Sequence, residues 1–333
     1  MSRRKVCGRV RIIDDFRLPI GMAYKALISL MKIKLAIGNP QLAITLIISL
    51  FAGASISAQT PGRPISVAVI DFGDSSIGRR AAETLATNLS SVTELNILDR
   101  DLTRSAAKGA GYSGSLNLSV TDAHNLGAAL GSDFYILGDA QTLRRSPSTG
   151  DAYFDSYASL FLVSARSGNL ILWLRPNSQA ATAAIAESRL IEDLSNRSSL
   201  DRLTQAIHRT VKEERTIREQ AIAHTAPLIE EAPDDENTAA AQGLRLPRPY
   251  RRLVPRYPDT AAVAEAEATV DVLVDLDEKG EVQRVEIARW AGFGLDEATI
   301  DTVRQLHFFP AMRNGMPIPL RVLLRYNFRK PAK

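Results

Sequence analysis

From Thr269 to Leu276 the chain alternates: Val270, Val272, Val274 and Leu276 take one side, Thr269, Asp271, Leu273 and Asp275 the other. Successive side chains of a strand point to opposite faces, so this run reads as a half-buried strand. Asp277-Glu278-Lys279-Gly280 follows as a turn, glycine supplying the positive φ that closes it. Val282 to Ala288 returns as the hairpin partner, and the step from Val282 to Val285 breaks the period of two, which predicts a bulge. Gly292-Phe293-Gly294 then precedes Leu295-Asp296-Glu297-Ala298, and a helix is expected through Ile300, Val303 and Leu306. Phe308-Phe309-Pro310-Ala311 ends it, Asn314-Gly315-Met316-Pro317 makes a turn, and Leu320 to Phe328 is the last strand. Upstream, Tyr257-Pro258 leads a short helix expected over Asp259 to Ala266.

Block by block, this series resembles the TonB C-terminal domain. The residues that carry the resemblance are Tyr257 and Pro258; Gly280 in the acidic-glycine turn; Gly292, Leu295 and Asp296; Phe309, Pro310 and Ala311; and Gly315 and Pro317. Trp290-Ala291 stands where the family usually has two serines, and Glu267-Ala268 replaces the glycine before the first strand. The resemblance implies a small βαβ domain over residues 247–333 that binds short segments of outer-membrane receptors, or of other envelope proteins, as an added strand. It implies no catalytic residue, cofactor or metal. Strand addition needs an exposed sheet edge with unpaired N–H and C=O groups, and the last strand is the candidate. Leu320, Val322, Leu324, Tyr326 and Phe328 are expected to face the helix, with Arg321, Leu323, Arg325 and Asn327 facing out. Edge arginines also serve as protection against aggregation, so they read either way.

Residues 59–223 read as an α/β layered domain, so the chain as a whole is expected to be α+β. Ile65–Phe72, Leu95–Leu98 and Phe134–Gly138 read as strands, and Ile77–Leu89 and Val120–Leu130 as helices. Tyr153–Val163 and Leu170–Trp173 flank the hairpin signal Ser167-Gly168-Asn169. Ser199–Ala223, with Leu200, Leu203, Ile207 and Val211 on one face, closes the domain as an amphipathic helix. Val67-Ala68-Val69-Ile70-Asp71-Phe72, the Leu98-Asp99-Arg100-Asp101 step and Gly131 to Gly138 resemble the CsgG-like and FlgO-like envelope domains. Members of that group are often lipoproteins, and this chain lacks the lipidated cysteine. Asp71-Phe72-Gly73 matches a kinase triplet without the motifs that accompany it in kinases. Phe72-Gly73-Asp74-Ser75 resembles the nucleophile block of GDSL-type esterases, with Ser75 as nucleophile. None of the four histidines has an acidic residue three positions before it to orient it as the base. Helix capping by Asp74, Ser75 and Ser76 is the simpler role, as is an ion pair or cap for Asp99, Arg100 and Asp101.

Residues 1–58 read as an N-terminal extension plus a targeting segment. Leu42 to Ala58 carries no charge, Lys32 and Lys34 precede it, and a small-residue run ends at Ala58. That order makes a signal peptide cleaved between Ala58 and Gln59. The other reading is a retained anchor, since about 17 apolar residues sit at the lower limit for spanning a bilayer. Residues 1–58 hold 9 Lys+Arg against 2 Asp+Glu, leaving 32 against 35 for residues 59–333. The body is therefore slightly acidic, and it has no basic stripe with interleaved aromatics for nucleic acid. Its single cysteine, Cys7, leaves the body without disulfide, zinc cluster or thiol nucleophile. Residues 224–246 read as a solvated acidic, proline-containing linker, followed by a basic stretch from Arg245 to Arg256.

Three functions are open at this point. One is a periplasmic TonB-like protein that binds partners by strand addition, coupled to an inner-membrane motor only if the N-terminal helix is retained. A second is a soluble periplasmic adapter or envelope-assembly protein without energy transduction. The third, remote, is the esterase.

Overall fold

The structure, a computed structural model, describes residues 63–223, 229–233 and 235–330. The targeting segment with Ala58 and Gln59, and residues 224–228 of the expected linker, lie outside the described residues.

The middle lobe begins with β1 (Ile65–Val69), whose apolar run is buried on both faces. Helix α1 (Ser76–Leu89) buries Ile77, Ala81, Leu85 and Leu89 against it, as the spacing of these residues predicts. β2 (Leu95–Ile97) then pairs parallel to β1, as a helical crossover requires. Next comes α2 (Arg100–Gly109), which the sequence pattern does not announce. Its Leu102 is 71% exposed, and its buried positions are Thr103 and Ala107, so it carries no apolar stripe. Helix α3 (Val120–Leu130) starts at a Ser119 cap and stops at Gly131, which takes φ 65°. β3 (Phe134–Arg145) is parallel to β1 and runs seven residues beyond the expected Gly138. Its polar second half persists because β4 (Tyr153–Ser164) pairs with it along its whole length. β5 (Leu170–Leu174) and β6 (Asn177–Ala180) both pair with β4, and the sheet order is β2-β1-β3-β4-β5. Helices α4 (Ala183–Leu194) and α5 (Arg197–Ala223) complete the layers. Val67, Leu85, Ile136, Leu160, Leu190 and Ile207 form the core on one face of the sheet; Leu126, Tyr135, Leu137 and Phe161 form it on the other.

In the C-terminal lobe, α6 (Glu236–Ala241), β7 (Leu244–Arg245) and β8 (Arg248–Pro249) come first. The acidic stretch expected as a solvated linker thus carries structure: Ala239 and Leu244 are buried in the C-terminal core. Helix α7 (Asp259–Ala264) ends two residues before the expected Ala266, at Glu265 with φ 51°. β9 (Ala268–Leu276) and β10 (Val282–Arg289) form the hairpin, with a register shift between Val282 and Arg284 where the broken period predicts a bulge. Helix α8 (Leu295–Val303) stops one turn short of Leu306. Phe308 to Ala311 is extended backbone that pairs sideways: β11 (Phe308–Phe309) with β8, and β12 (Ala311–Arg313) with both β7 and β13 (Met316–Ile318). β14 (Leu320–Phe328) pairs antiparallel to β9 over nine residues, giving the sheet order β10-β9-β14. Val270, Val272, Val274 and Leu276 lie on its buried face, as alternation predicts. The chain is α+β overall.

The two lobes meet at the end of β10. Trp290 is 1% exposed, stacks on Phe161 with centroids 5.9 Å apart, and donates its indole N–H to Gly168 O at 3.0 Å. Phe293 adds an edge contact to Phe161 at 5.5 Å. Asn117 of the middle lobe donates to Thr269 O at 2.8 Å and to Trp290 O at 2.6 Å, and accepts from Thr269 N–H at 3.1 Å. Ser119 makes an antiparallel bridge with Arg289.

Candidate partner-docking edge

Among the described residues no group of acidic, histidine or cysteine side chains is placed to hold a metal. Ser75 is committed to structure: its hydroxyl accepts from Gly78 N–H at 2.9 Å and donates to Ala140 O at 2.7 Å. His208 and His307 pair with Glu94 and Glu281, and neither reaches Ser75. Asp99 caps α2, and Asp71 pairs with Arg100 and with Arg104, which also holds Asp101. Burial alone would push the Asp71 carboxyl up; the two arginines outweigh it and hold the group below its usual value.

What remains is the sheet edge. β14 is an outer strand of the C-terminal sheet because nothing downstream returns to pair with it among the described residues. Arg321 lies directly across from Asp275, and Arg325 across from Asp271. Each arginine grips its partner with two bonds, at 2.5 and 2.8 Å for Arg321 and at 2.7 and 3.0 Å for Arg325. Asp271 also receives Arg289 at 3.3 Å. Burial raises the Asp271 carboxyl, but Arg325 and Arg289 overcome this and leave it below the ordinary range. The arginines on the outer face of β14 are therefore tied to buried carboxylates, and the fork-to-fork geometry fixes their planes.

Main-chain groups of β14 alternate in direction. Arg321 points its N–H and C=O away from β9: the N–H donates to Glu230 O at 2.8 Å, and the C=O accepts from Ala232 N–H at 2.7 Å. Glu230 to Ala232 thus lies as a short parallel strap over the start of the edge, anchored by two bonds from Arg313 to Glu230 at 2.8 and 2.6 Å. By the same alternation Leu323, Arg325 and Asn327 also point their main-chain groups outward. Among the described residues none of these N–H or C=O groups has a hydrogen-bond partner. A groove of about 430 Å³ runs beside this stretch, lined by Leu324 to Asn327 on one wall and Arg251 to Val254 on the other.

The motif residues sit elsewhere and hold the frame. The Tyr257 hydroxyl donates to Ala266 O at 2.7 Å and lies 3.2 Å from Ala261 O, clasping the end of α7, while Pro258 precedes that helix. A Cβ on Gly280 would lie 2.0 Å from Phe308 O, so the turn admits only glycine there. A Cβ on Gly292 would collide with the Phe161 ring at 2.6 Å, which makes this glycine part of the lobe contact. Leu295 is buried, and Asp296 accepts from Ala291 N–H at 2.9 Å and Gly292 N–H at 2.8 Å. Burial pushes the Asp296 carboxyl up to about 7, against the pull of those two donors. Phe309 is exposed and stacks edge-on with Tyr250, Ala311 is buried, Pro310 joins β11 to β12, and Gly315 and Pro317 shape the β12–β13 turn. Sequence reasoning missed Glu230, Ala232, Arg251, Arg252 and Arg313 around the edge, and Asn117 at the lobe contact. For the contact one signal was present: a tryptophan where serine is usual.

Residues 254–329 match the family described as Gram-negative bacterial TonB protein C-terminal. The match does not extend to the middle lobe, whose CsgG-like and FlgO-like resemblance rests on its sequence motifs alone. No curated protein matches the chain. Among solved structures, the TonB C-terminal domain of Pseudomonas aeruginosa aligns at 18% identity over 26% of this chain and 89% of its own, TM-score 0.23. The hypothetical protein CT253 from Chlamydia trachomatis aligns at 11% identity over 40% of this chain and 94% of its own, TM-score 0.29. Lipoprotein GNA1162 from Neisseria meningitidis aligns at 14% identity over 45% and 99%, TM-score 0.27.

Proposed function

We propose that this chain, whose residues 254–329 form a TonB-type C-terminal domain, is a periplasmic envelope protein that recruits partners by adding their extended segments to β14. That domain family is one of non-enzymatic protein-interaction modules of the cell envelope. The observation that carries the reading is the row of outward main-chain groups at Leu323, Arg325 and Asn327 beside an open groove. Such a row supplies affinity through main-chain bonds, whatever the partner's side chains. Outer-membrane receptors are the first class of partner to test.

Between energy transducer and fixed adapter, the lobe contact favours the adapter. A transducer needs its C-terminal domain on a long tether, whereas here Trp290 and Asn117 fasten it to the middle lobe.

Replacing Leu323 with proline removes one outward N–H and obstructs a ladder on that side while leaving the β9 side intact. Capture of outer-membrane receptors from an envelope extract is expected to be lost in Leu323→Pro, with the unfolding transition of the protein retained. Undiminished capture by the folded variant would show that β14 is not the docking edge.

A further inference from the structure

Resting on that docking reading, we infer that the segment received by β14 is acidic, and that Arg251 and Arg252 select it from across the groove. Four observations converge on this chemistry.

The first is the state of the basic stretch. Arg248 pairs with Glu236 and Arg256 with Asp259, but Arg251 and Arg252 are exposed and stand in no ion pair among the described residues. Both line the groove, together with Arg325. The second is that no carboxylate lines this groove among the described residues. In a body with more acidic than basic residues, two groove arginines without a counter-charge among the described residues, Arg251 and Arg252, run against the overall balance. Arg325 is neutralised by Asp271, so the field is that of Arg251 and Arg252, and two guanidinium groups beside a low-dielectric wall attract an anionic segment and repel a cationic one.

The third observation is an internal precedent. The strand that the chain itself adds to this edge, Glu230-Glu231-Ala232, is acidic, and its Glu230 is read by an arginine, Arg313. The fourth is geometric. The strap ends after one bridge, leaving Leu323 to Asn327 as an open window, and five residues at about 3.4 Å each match an ordinary strand length. The apolar part of the groove, Leu253, Leu306, Leu324 and Tyr326, then suits small apolar residues alternating with the acidic ones.

The test uses the full chain and three synthetic eight-residue peptides of alternating threonine with glutamate, glutamine or lysine. Fluorescence anisotropy at low and moderate salt is expected to rank them glutamate, glutamine, lysine. The first step should be about tenfold and should shrink as salt rises. The double variant Arg251→Glu, Arg252→Glu alters exposed side chains and is expected to reverse the order. Equal binding of the glutamate and glutamine peptides, or an unchanged order in the double variant, overturns the acidic reading. If all three bind alike and Leu323→Pro abolishes all three, the docking edge stands and only the acidic reading falls. Binding of the lysine or glutamine peptide without the glutamate peptide overturns the acidic reading alone, and failure of all three peptides to bind overturns both.

Discussion

The three-stranded sheet of the C-terminal lobe has two edges, and the chain treats them differently. At the β10 edge the middle lobe closes in. Leu118 O accepts from Trp290 N–H at 3.3 Å, Ser119 bridges Arg289, Asn117 brackets Thr269, and the buried Trp290 stacks on Phe161. At the β14 edge, among the described residues, the chain supplies only the strap at Glu230 to Ala232 and then leaves the ladder open. Unpaired edges are a liability that proteins normally cover or charge. One edge is covered by a large aromatic contact, while the other is open beside two arginines that have no ion pair among the described residues, which is the contrast that the proposed docking role rests on.

The largest effect should come from breaking the covered side. Trp290→Ala removes a fully buried indole and its bond to Gly168 O, and large-to-small changes of this kind cost about 3–5 kcal/mol. Urea unfolding of wild type and variant is expected to show a loss of this size, with the two lobes ceasing to unfold together. A loss under about 0.5 kcal/mol, within the range of ordinary surface substitutions, would mean that the lobes are merely juxtaposed.

Acidity offers a finer probe of the same joint. Asp296 holds the N–H groups of Ala291 and Gly292, so it shapes the loop that presents Trp290. Burial raises its carboxyl from 3.8 to about 7, so the folded state binds this proton more tightly than the unfolded chain. Its contribution to stability is full below the unfolded value and is lost as pH rises through the folded one, between about 4 and 7. Asp71 and Asp271 act in the opposite sense: their lowered values add stability above the unfolded value, lost as pH falls through the folded one. The diagnostic quantity is therefore the difference between wild type and Asp296→Asn. Melting temperatures from pH 4.5 to 8 should fall more steeply for wild type than for the variant. Parallel curves would place the titration elsewhere.

How much of this contrast was legible beforehand depends on how local its causes are. The β9–β10 hairpin, its bulge and the β14 strand were readable because alternation and turn chemistry act within a few residues. So was the α3 terminus at Gly131. Helix α2 was not, because its stability comes from the Asp99 cap and from Arg104 reaching Asp71 rather than from an apolar stripe. The second half of β3 was hidden for a similar reason, its polar residues being held extended by β4. At the candidate site, the inward and outward faces of β14 followed from period two. The strap, by contrast, depends on Glu230 meeting Arg313 across 83 positions of sequence, a pairing no local pattern encodes. Trp290 was visible as a departure from the family's usual serines, but what it packs against became evident only once the middle lobe was in place.

The smallest expected effect concerns the strap itself, and it sharpens where the open edge begins. Glu230→Ala removes the two bonds from Arg313, a pair with both side chains substantially exposed, and solvent and salt screening leave such pairs little effect on stability. The strap keeps its main-chain bonds to Arg321 and the packing of Ala232 on the C-terminal core. A partner confined to Leu323 through Asn327 does not compete with it, so affinity for the glutamate peptide should stay within about twofold of wild type, well under the tenfold that 1.4 kcal/mol represents. Titrations of both proteins by anisotropy, at matched salt, decide the point. A clear gain in affinity would mean that the partner extends over Arg321 and that the strap holds part of the docking edge against it. In that case the boundary between covered and open edge is set by competition between the two strands and not by the fold alone.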